Sequence, residues 1–159
     1  MKTLIAYASK YGFTKTCAVT LAHKLPGKVD LCDLDAAGPN LAEYDTVIVG
    51  GSVYAGQIRK PVKQFCAKNL EPLQKKRLGL FICGLAEGAD AEKELETSFP
   101  KELLAAAAAK ESFGGACDFG KMNFMEKAIL KKITGSNEST SRIDEAHIAR
   151  FAQRISASD

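Results

Sequence analysis

Long apolar runs are missing from this 159-residue chain. None comes near the about 20 consecutive apolar residues that a bilayer crossing requires. The first residues also lack the basic, apolar and cleavage regions of a signal peptide, so the expected location is the cytoplasm. Histidine is scarce: His23 and His147 are the two, each in a separate predicted helix, neither with a partner at ligand spacing. The five cysteines, Cys17, Cys32, Cys66, Cys83 and Cys117, are odd in number and far apart, and no two form C-x-x-C. A structural zinc normally takes four clustered Cys or His ligands, so no metal site is expected, and the thiols read as reduced core residues. A large charge of one sign is absent too. The net +3 is too small to point to nucleic acid. Without linkers or repeats, and with 46% hydrophobic and 26% charged residues, the chain reads as one ordinary globular domain over residues 1–159.

Two phosphate signatures are missing as well. There is no G-x-x-x-x-G-K-[ST], and the single Gly12 of the first turn cannot supply G-x-G-x-x-G. What stands there is a different arrangement. Thr3 to Ala8 is apolar enough for a strand covered on both faces. Ser9, Lys10, Tyr11, Gly12, Phe13 and Thr14 then form a turn of hydroxyls around one flexible glycine. Cys17, Ala18, Leu21, Ala22 and Leu25 follow on one helical face, and Pro26-Gly27 stops the helix. Backbone N–H groups and hydroxyls of such a turn can converge on one anion at the helix's positive end. The other reading is a turn that only caps the helix.

Further strands are predicted at Val29 to Leu34, Asp45 to Ser52, Leu78 to Cys83 and Ser112 to Cys117. Val29, Leu31 or Cys32 is expected to turn inward on the first of these. Helices are predicted after Pro61, from Ala91 to Thr97, through the Ala-rich segment to Ala109, and after Asp144, where Ile148, Phe151, Ala152 and Ile155 share a face. Five strands alternating with helices predict an α/β fold, a three-layer doubly wound sandwich around a five-stranded parallel sheet of order 2-1-3-4-5. A ligand of such a sheet sits outside the carboxyl ends of the strands, between strands 1 and 3. The glycine-bearing loops Ser9 to Thr14, Gly51 to Gly56 and Cys83 to Gly88 all fall at those ends.

The pattern Ser9-x-Tyr11-Gly12-x-Thr14, directly after the first strand, resembles the flavodoxin phosphate loop, [ST]-x-[TY]-G-x-T. With the strand and helix alternation the likeness covers nearly the whole chain, and it implies a flavodoxin-like fold with non-covalent FMN. It further implies that Ser9, Lys10, Tyr11, Gly12, Phe13 and Thr14 hold the phosphate. Ser52, Val53, Tyr54 and Ala55 would flank the isoalloxazine, with Tyr54 stacking on it, and Cys83, Gly84, Leu85 and Ala86 would complete the pocket. A phosphorylation receiver shares this topology but needs an acidic cluster after strand 1 and an Asp ending strand 3, where this chain has Ala8-Ser9 and Gly51-Ser52. No nucleophile triad or carboxylate pair competes, so no side chain is expected to be catalytic in its own right and the flavin carries the chemistry.

Gly114-Gly115-Ala116, a basic helix bearing Phe124, Ile133-Thr134-Gly135 and a Ser/Thr-rich loop are similar to the menaquinone-dependent protoporphyrinogen dehydrogenase branch of flavodoxin-like proteins. That branch has Arg-Tyr-Gly after strand 3, whereas this chain has Val53-Tyr54-Ala55-Gly56. Two functions are therefore carried forward. One is an FMN-dependent oxidoreductase coupled to a quinone, with Arg59 orienting an anionic small-molecule substrate. The other is an electron carrier serving protein redox partners, although carriers are typically acidic. Lys121 to Thr134 is amphipathic and itself carries +3. It reads either as a core-packing helix with a solvated basic side or as a peripheral contact with the inner face of a membrane.

Overall fold

Residues 2–117, 128 and 140–157 are described in a computed structural model of the chain. Strand β1 (Lys2–Ala8) is buried from Thr3 onward because both of its faces are covered. Leu4, Ala6 and Ala8 join one apolar layer, and Ile5 and Tyr7 join the other, as the period of two along a strand requires. β2 (Lys28–Asp33) and β3 (Thr46–Tyr54) flank β1 in parallel. β5 (Arg77–Cys83) lies beyond β3, β6 (Ala109–Ser112) forms the far edge, and the two-residue β4 (Gln57–Ile58) pairs antiparallel with β3. The order β2-β1-β3-β5-β6 is the expected 2-1-3-4-5 once β4 is counted apart.

Helices α1 (Phe13–His23) and α6 (Glu145–Ser156) cover one face of the sheet through Cys17, Ala18, Leu21, Ile148, Phe151, Ala152 and Ile155. The other face lies under α2 (Lys60–Lys68), α3 (Leu70–Gln74), α4 (Gly88–Ser98) and α5 (Lys101–Ala106), which contribute Val62, Phe65, Cys66, Leu73, Leu95 and Leu103. On the first face Phe81 stacks on Phe113, with centroids 4.6 Å apart, and Phe151 meets both edge-on. Gly50 is a consequence of that cluster. A Cβ there would lie 2.2 Å from the Phe81 ring, so a residue type that usually marks a turn sits inside β3.

The edge of the sheet differs from the sequence expectation. The strand predicted over Ser112 to Cys117 is two strands. The sheet's fifth member is β6, and β7 (Gly114–Cys117) leaves it to pair antiparallel with β8 (Thr140–Ile143). The helix predicted to reach Ala109 stops at Ala106, because the Ala108 N–H donates to Leu78 O at 2.7 Å and draws the chain into the sheet. Glu111 disguised this strand: its carboxylate occupies a buried position in β6 and is neutralised from α6 by Arg150, at 2.6 and 3.1 Å, and by Arg154 at 3.5 Å. On β2, Val29 and Cys32 pack toward opposite layers, while Leu31 is 41% exposed.

Local caps match the sequence. Asp144 Oδ1 accepts the His147 N–H at 3.1 Å to begin α6, and Arg77 donates to the carbonyls of Ile155 and Arg154 at its other end. Among the described residues no helix is long and apolar enough to cross a membrane. The segment Lys121 to Thr134 lies outside the described residues apart from Ala128.

Candidate functional site

The strand register brings the predicted loops to one level. Ala8 pairs with Gly51, Gly51 with Ile82, and Ser52 with Cys83, so the chain departs from β1, β3 and β5 side by side. β1 and β3 are the neighbours between which the order of the sheet reverses, and the crevice that forms there is where ligands of doubly wound sheets bind.

The first loop turns directly into the N-terminus of α1. Gly12 precedes α1 with φ +95°, a left-handed conformation that a side chain resists, and Ser9 Oγ accepts the Gly12 N–H at 2.9 Å. Accepting through a lone pair leaves the Ser9 hydroxyl proton available to an incoming oxygen. The first-turn amides of α1 have no intrahelical carbonyl to meet, and they lie at the helix's positive end. Thr14 is fully buried in this turn, yet its Oγ1 has no hydrogen-bond partner; Ser52 Oγ, across the crevice on β3, is buried in the same condition. A buried hydroxyl left unmatched costs about 1–3 kcal/mol, a penalty that an anion or a ligand hydroxyl would remove. The residues present therefore fit a bound phosphate monoester.

The second loop is tighter than the sequence implied. β3 runs on through Val53 and Tyr54 and folds back into β4, with Val53 opposite Ile58 and Tyr54 opposite Gln57. Ala55 and Gly56 make the turn with φ +50° and +77°, both left-handed, as a two-residue hairpin of the I′ kind needs. The hairpin holds the Tyr54 ring at the mouth, half-buried. Lys10 reaches over from the first loop, with Nζ 4.5 Å from the Tyr54 ring centroid and 5.6 Å from that of Tyr11. Tyr11 and Phe13 are half-buried beside it, while Lys10, Gly12 and Ala55 are exposed.

The third loop is clamped from the neighbouring ribbon. The Gly84 N–H donates to Gly114 O at 2.9 Å, and a Cβ on Gly115 would stand 2.2 Å from Gly84 O, so Gly115 lets the backbone of β7 lie against that of the loop. Arg142 of β8 pairs with Glu87 at 2.7 Å. Burial pushes the Cys83 thiol well above its ordinary range, and the adjacent Cys17 thiol adds to the rise. Cys83 is thus a neutral packing group, and Leu85 and Ala86 sit half-buried after it. Among the described residues no cluster of three His, Cys, Asp or Glu side chains is placed to hold a metal ion.

The family model of the flavodoxin domain matches residues 4–144. The chain belongs to the flavodoxin domain family. A search of curated proteins finds no match. Solved structures share the fold: a flavodoxin from the domain Archaea is 17% identical, with coverage of 98% of this chain and 99% of its own and a TM-score of 0.54. A short-chain flavodoxin associated with a PDU bacterial microcompartment is 14% identical, with 98% and 96% covered and a TM-score of 0.59. A point mutant of the Fusobacterium nucleatum flavodoxin, solved bound to flavin mononucleotide, is 12% identical, with 97% and 94% covered and a TM-score of 0.54. The chain also spans 36% of a flavodiiron core from Synechocystis, at 17% identity and a TM-score of 0.58.

In this flavodoxin domain, Arg59 is not a loose cation at the rim. It stands at the N-cap of α2, its Nη2 donates to Asp35 Oδ1 at 2.7 Å, and its Nε is buried without a partner. Asp35 follows β2 and Arg59 follows β4, so this ion pair straps across the carboxyl end of β1 between them. Sequence reasoning missed Asp35, because nothing local marks one carboxylate in a polar loop as the partner of an arginine 24 residues on. It also missed Glu94 of α4, whose Oε1 would lie 3.2 Å from a Cβ on Gly84. Burial, with Asp90 adding to it, raises the Glu94 carboxyl above the usual range. Its spacing on an amphipathic helix gave no sign that it backs the third loop.

Proposed function

We propose that the chain is an FMN-dependent oxidoreductase. The observation that carries this reading is the pair of buried, unmatched hydroxyls, Thr14 Oγ1 and Ser52 Oγ, in the crevice where the three loops converge. Ser9, Tyr11, Gly12, Phe13 and Thr14, with the first-turn amides of α1, would hold the phosphate. Ser52, Val53, Tyr54 and Ala55 would line one side of the ring, and Cys83, Gly84, Leu85 and Ala86 the other. Bound FMN supplies one- and two-electron transfer. The chain's own residues bind it, exclude water with Tyr54, and keep the third loop in place through the Gly84–Gly114 hydrogen bond.

The finer reading is a quinone-coupled dehydrogenase similar to the protoporphyrinogen branch, supported by the sequence likeness around Gly114–Ala116 and Ile133–Gly135. In that reading the basic segment Lys121 to Thr134 touches the inner face of a membrane from the cytoplasm, and Arg59 orients an anionic substrate. It would do so through Nε, since Nη2 is engaged by Asp35. Electron transfer between protein partners is the second reading. It is favoured by the likeness to flavodoxins over 98% of this chain.

Titration of the purified chain with FMN, followed by quinone reduction in the presence of lipid, tests these readings in order. A yellow complex that forms with FMN and not with riboflavin alone supports the phosphate site. No uptake of FMN would sink the assignment. Turnover with a porphyrinogen and a quinone above the free-flavin background favours the enzyme, and rapid, salt-sensitive exchange with a protein reductase in its absence favours the carrier.

A further inference from the structure

We infer that Asp35 is a positioning residue of this crevice: its carboxylate keeps Arg59 folded inward, and Arg59 fixes the β3–β4 hairpin at the carboxyl end of β1. The consequence for FMN rests on the reading above. Asp35 stands on a turn that is already anchored, because the Leu34 N–H donates to Tyr7 O at 2.8 Å and the Asp35 and Ala36 N–H groups donate back to Asp33 at 2.9 and 3.0 Å. Arg59 follows the hairpin directly, and its own N–H donates to Ser52 O at 3.1 Å. The 2.7 Å hydrogen bond from Arg59 Nη2 to Asp35 Oδ1 joins the two.

Two effects push the Arg59 guanidinium out toward water. It stands at the N-cap of α2, where the helix dipole is positive and a cation is disfavoured. Its Nε is buried without a partner, a cost that exposure to water would remove. Among the described residues Asp35 is the one carboxylate paired with it, so the inward position depends on that charge. The hairpin has little of its own to hold it, since β4 is two residues long and Ala55 turns at φ +50°. Ile58 anchors it in the core and Lys63 Nζ reaches Gln57 Oε1 at 2.6 Å, but the Arg59 N–H is the tie that reaches Ser52. Ser52 carries one of the buried, unmatched hydroxyls of the crevice. A ligand that must first order this hairpin binds more weakly, in proportion to the fraction of molecules not yet in the competent arrangement.

The test compares wild type with Asp35→Asn and Asp35→Ala, and with Tyr44→Phe, which removes a hydrogen bond at the opposite end of the sheet. Hydrogen exchange of the FMN-free chains reads the hairpin, FMN titration reads the crevice, and thermal melts read the fold. In Asp35→Ala the Arg59 amide should exchange about tenfold faster or more, with the amides between β1 and β3 unchanged. FMN affinity should fall about three- to tenfold, as a competent fraction of roughly a third to a tenth requires. Asp35→Asn keeps an acceptor oxygen without the charge and should fall between, and high salt should bring wild type toward it. Tyr44→Phe should lower the thermal midpoint and leave both the Arg59 amide and FMN affinity as they are. An Arg59 amide that exchanges at the wild-type rate in Asp35→Ala would overturn the inference, since Ile58 would then hold the hairpin alone. So would an equal loss of FMN affinity in Tyr44→Phe, because affinity would then follow overall stability. Failure of the wild type to take up FMN would overturn the cofactor reading, and the exchange pattern would still decide whether Asp35 holds the hairpin.

Discussion

At the amino end of the sheet, polar side chains are knitted to one another. Lys2 Nζ reaches Glu43 at 2.6 Å and Asp30 at 3.8 Å, Tyr44 Oη donates to Asp30 at 2.8 Å, and Lys76 donates to Tyr44 O at 2.6 Å. At the carboxyl end, Thr14 Oγ1, Ser52 Oγ and Arg59 Nε are buried with nothing to bond. The same sheet separates these ends, and the same apolar layers hold both. The amino end uses its hydrogen-bonding capacity to hold the fold together. The carboxyl end leaves that capacity unused by the fold, at a cost of about 1–3 kcal/mol for each buried unmatched group, which the proposed cofactor would offset. Substitutions at the two ends should therefore move stability in opposite directions.

The largest effect is expected from Thr14→Val. It should weaken FMN by about 1–3 kcal/mol, roughly 5- to 150-fold, while stabilising the FMN-free chain by about 1 kcal/mol, because the deleted hydroxyl is one the fold leaves unmatched. Fluorescence titration and urea unfolding of the same preparation measure the two quantities. A variant that loses both affinity and stability would show that Thr14 serves the fold and would break the contrast.

Tyr44→Phe should do the reverse, costing about 1 kcal/mol of stability with FMN affinity unchanged. The Tyr44 phenol is pushed up to about 12, first by its hydrogen bond to Asp30 and then by burial. An unfolded tyrosine titrates near about 10. Because the folded value is the higher one, the stabilisation is complete below the unfolded value and is lost as pH rises through the folded value. Unfolding free energies across that alkaline window should fall more steeply in wild type than in Tyr44→Phe. Burial also raises the Tyr7 phenol, with the Asp33 charge adding to it, so the difference between the two chains is the quantity to read. Parallel curves would remove Tyr44 from the amino-end network.

The smallest effect concerns the hairpin at the mouth. Ala55 holds φ +50°, which Asn tolerates better than Ala, so Ala55→Asn should stabilise the FMN-free chain by about 0.5–1 kcal/mol. A thermal midpoint that does not rise would mean that the turn relaxes at no cost, and that Tyr54 is held less firmly than the neighbouring network implies.

Much of this was legible in the residues. The alternation of apolar runs with amphipathic helices, the helix stops at Pro26-Gly27 and the Asp144 cap are local signals, and they specified the sheet order and the loops at its carboxyl ends. The turn from Ser9 to Thr14 was legible for the same reason: a hydroxyl, a glycine and a helix start are contiguous in sequence. What depended on distant partners was not. Glu111 looks like a surface charge until α6 brings Arg150 and Arg154 over it, so the edge strand was placed three residues late. Arg59 reads as a free cation at the rim until β2 delivers Asp35 across the end of β1. Gly50 falls inside the predicted strand, but why a glycine is needed there appears only when Phe81 fills the space above it. Composition and periodicity report how a segment meets water and its own neighbours. Which charge is neutralised, which hydroxyl stays unmatched and which glycine makes room for a ring are settled only when the chain closes on itself.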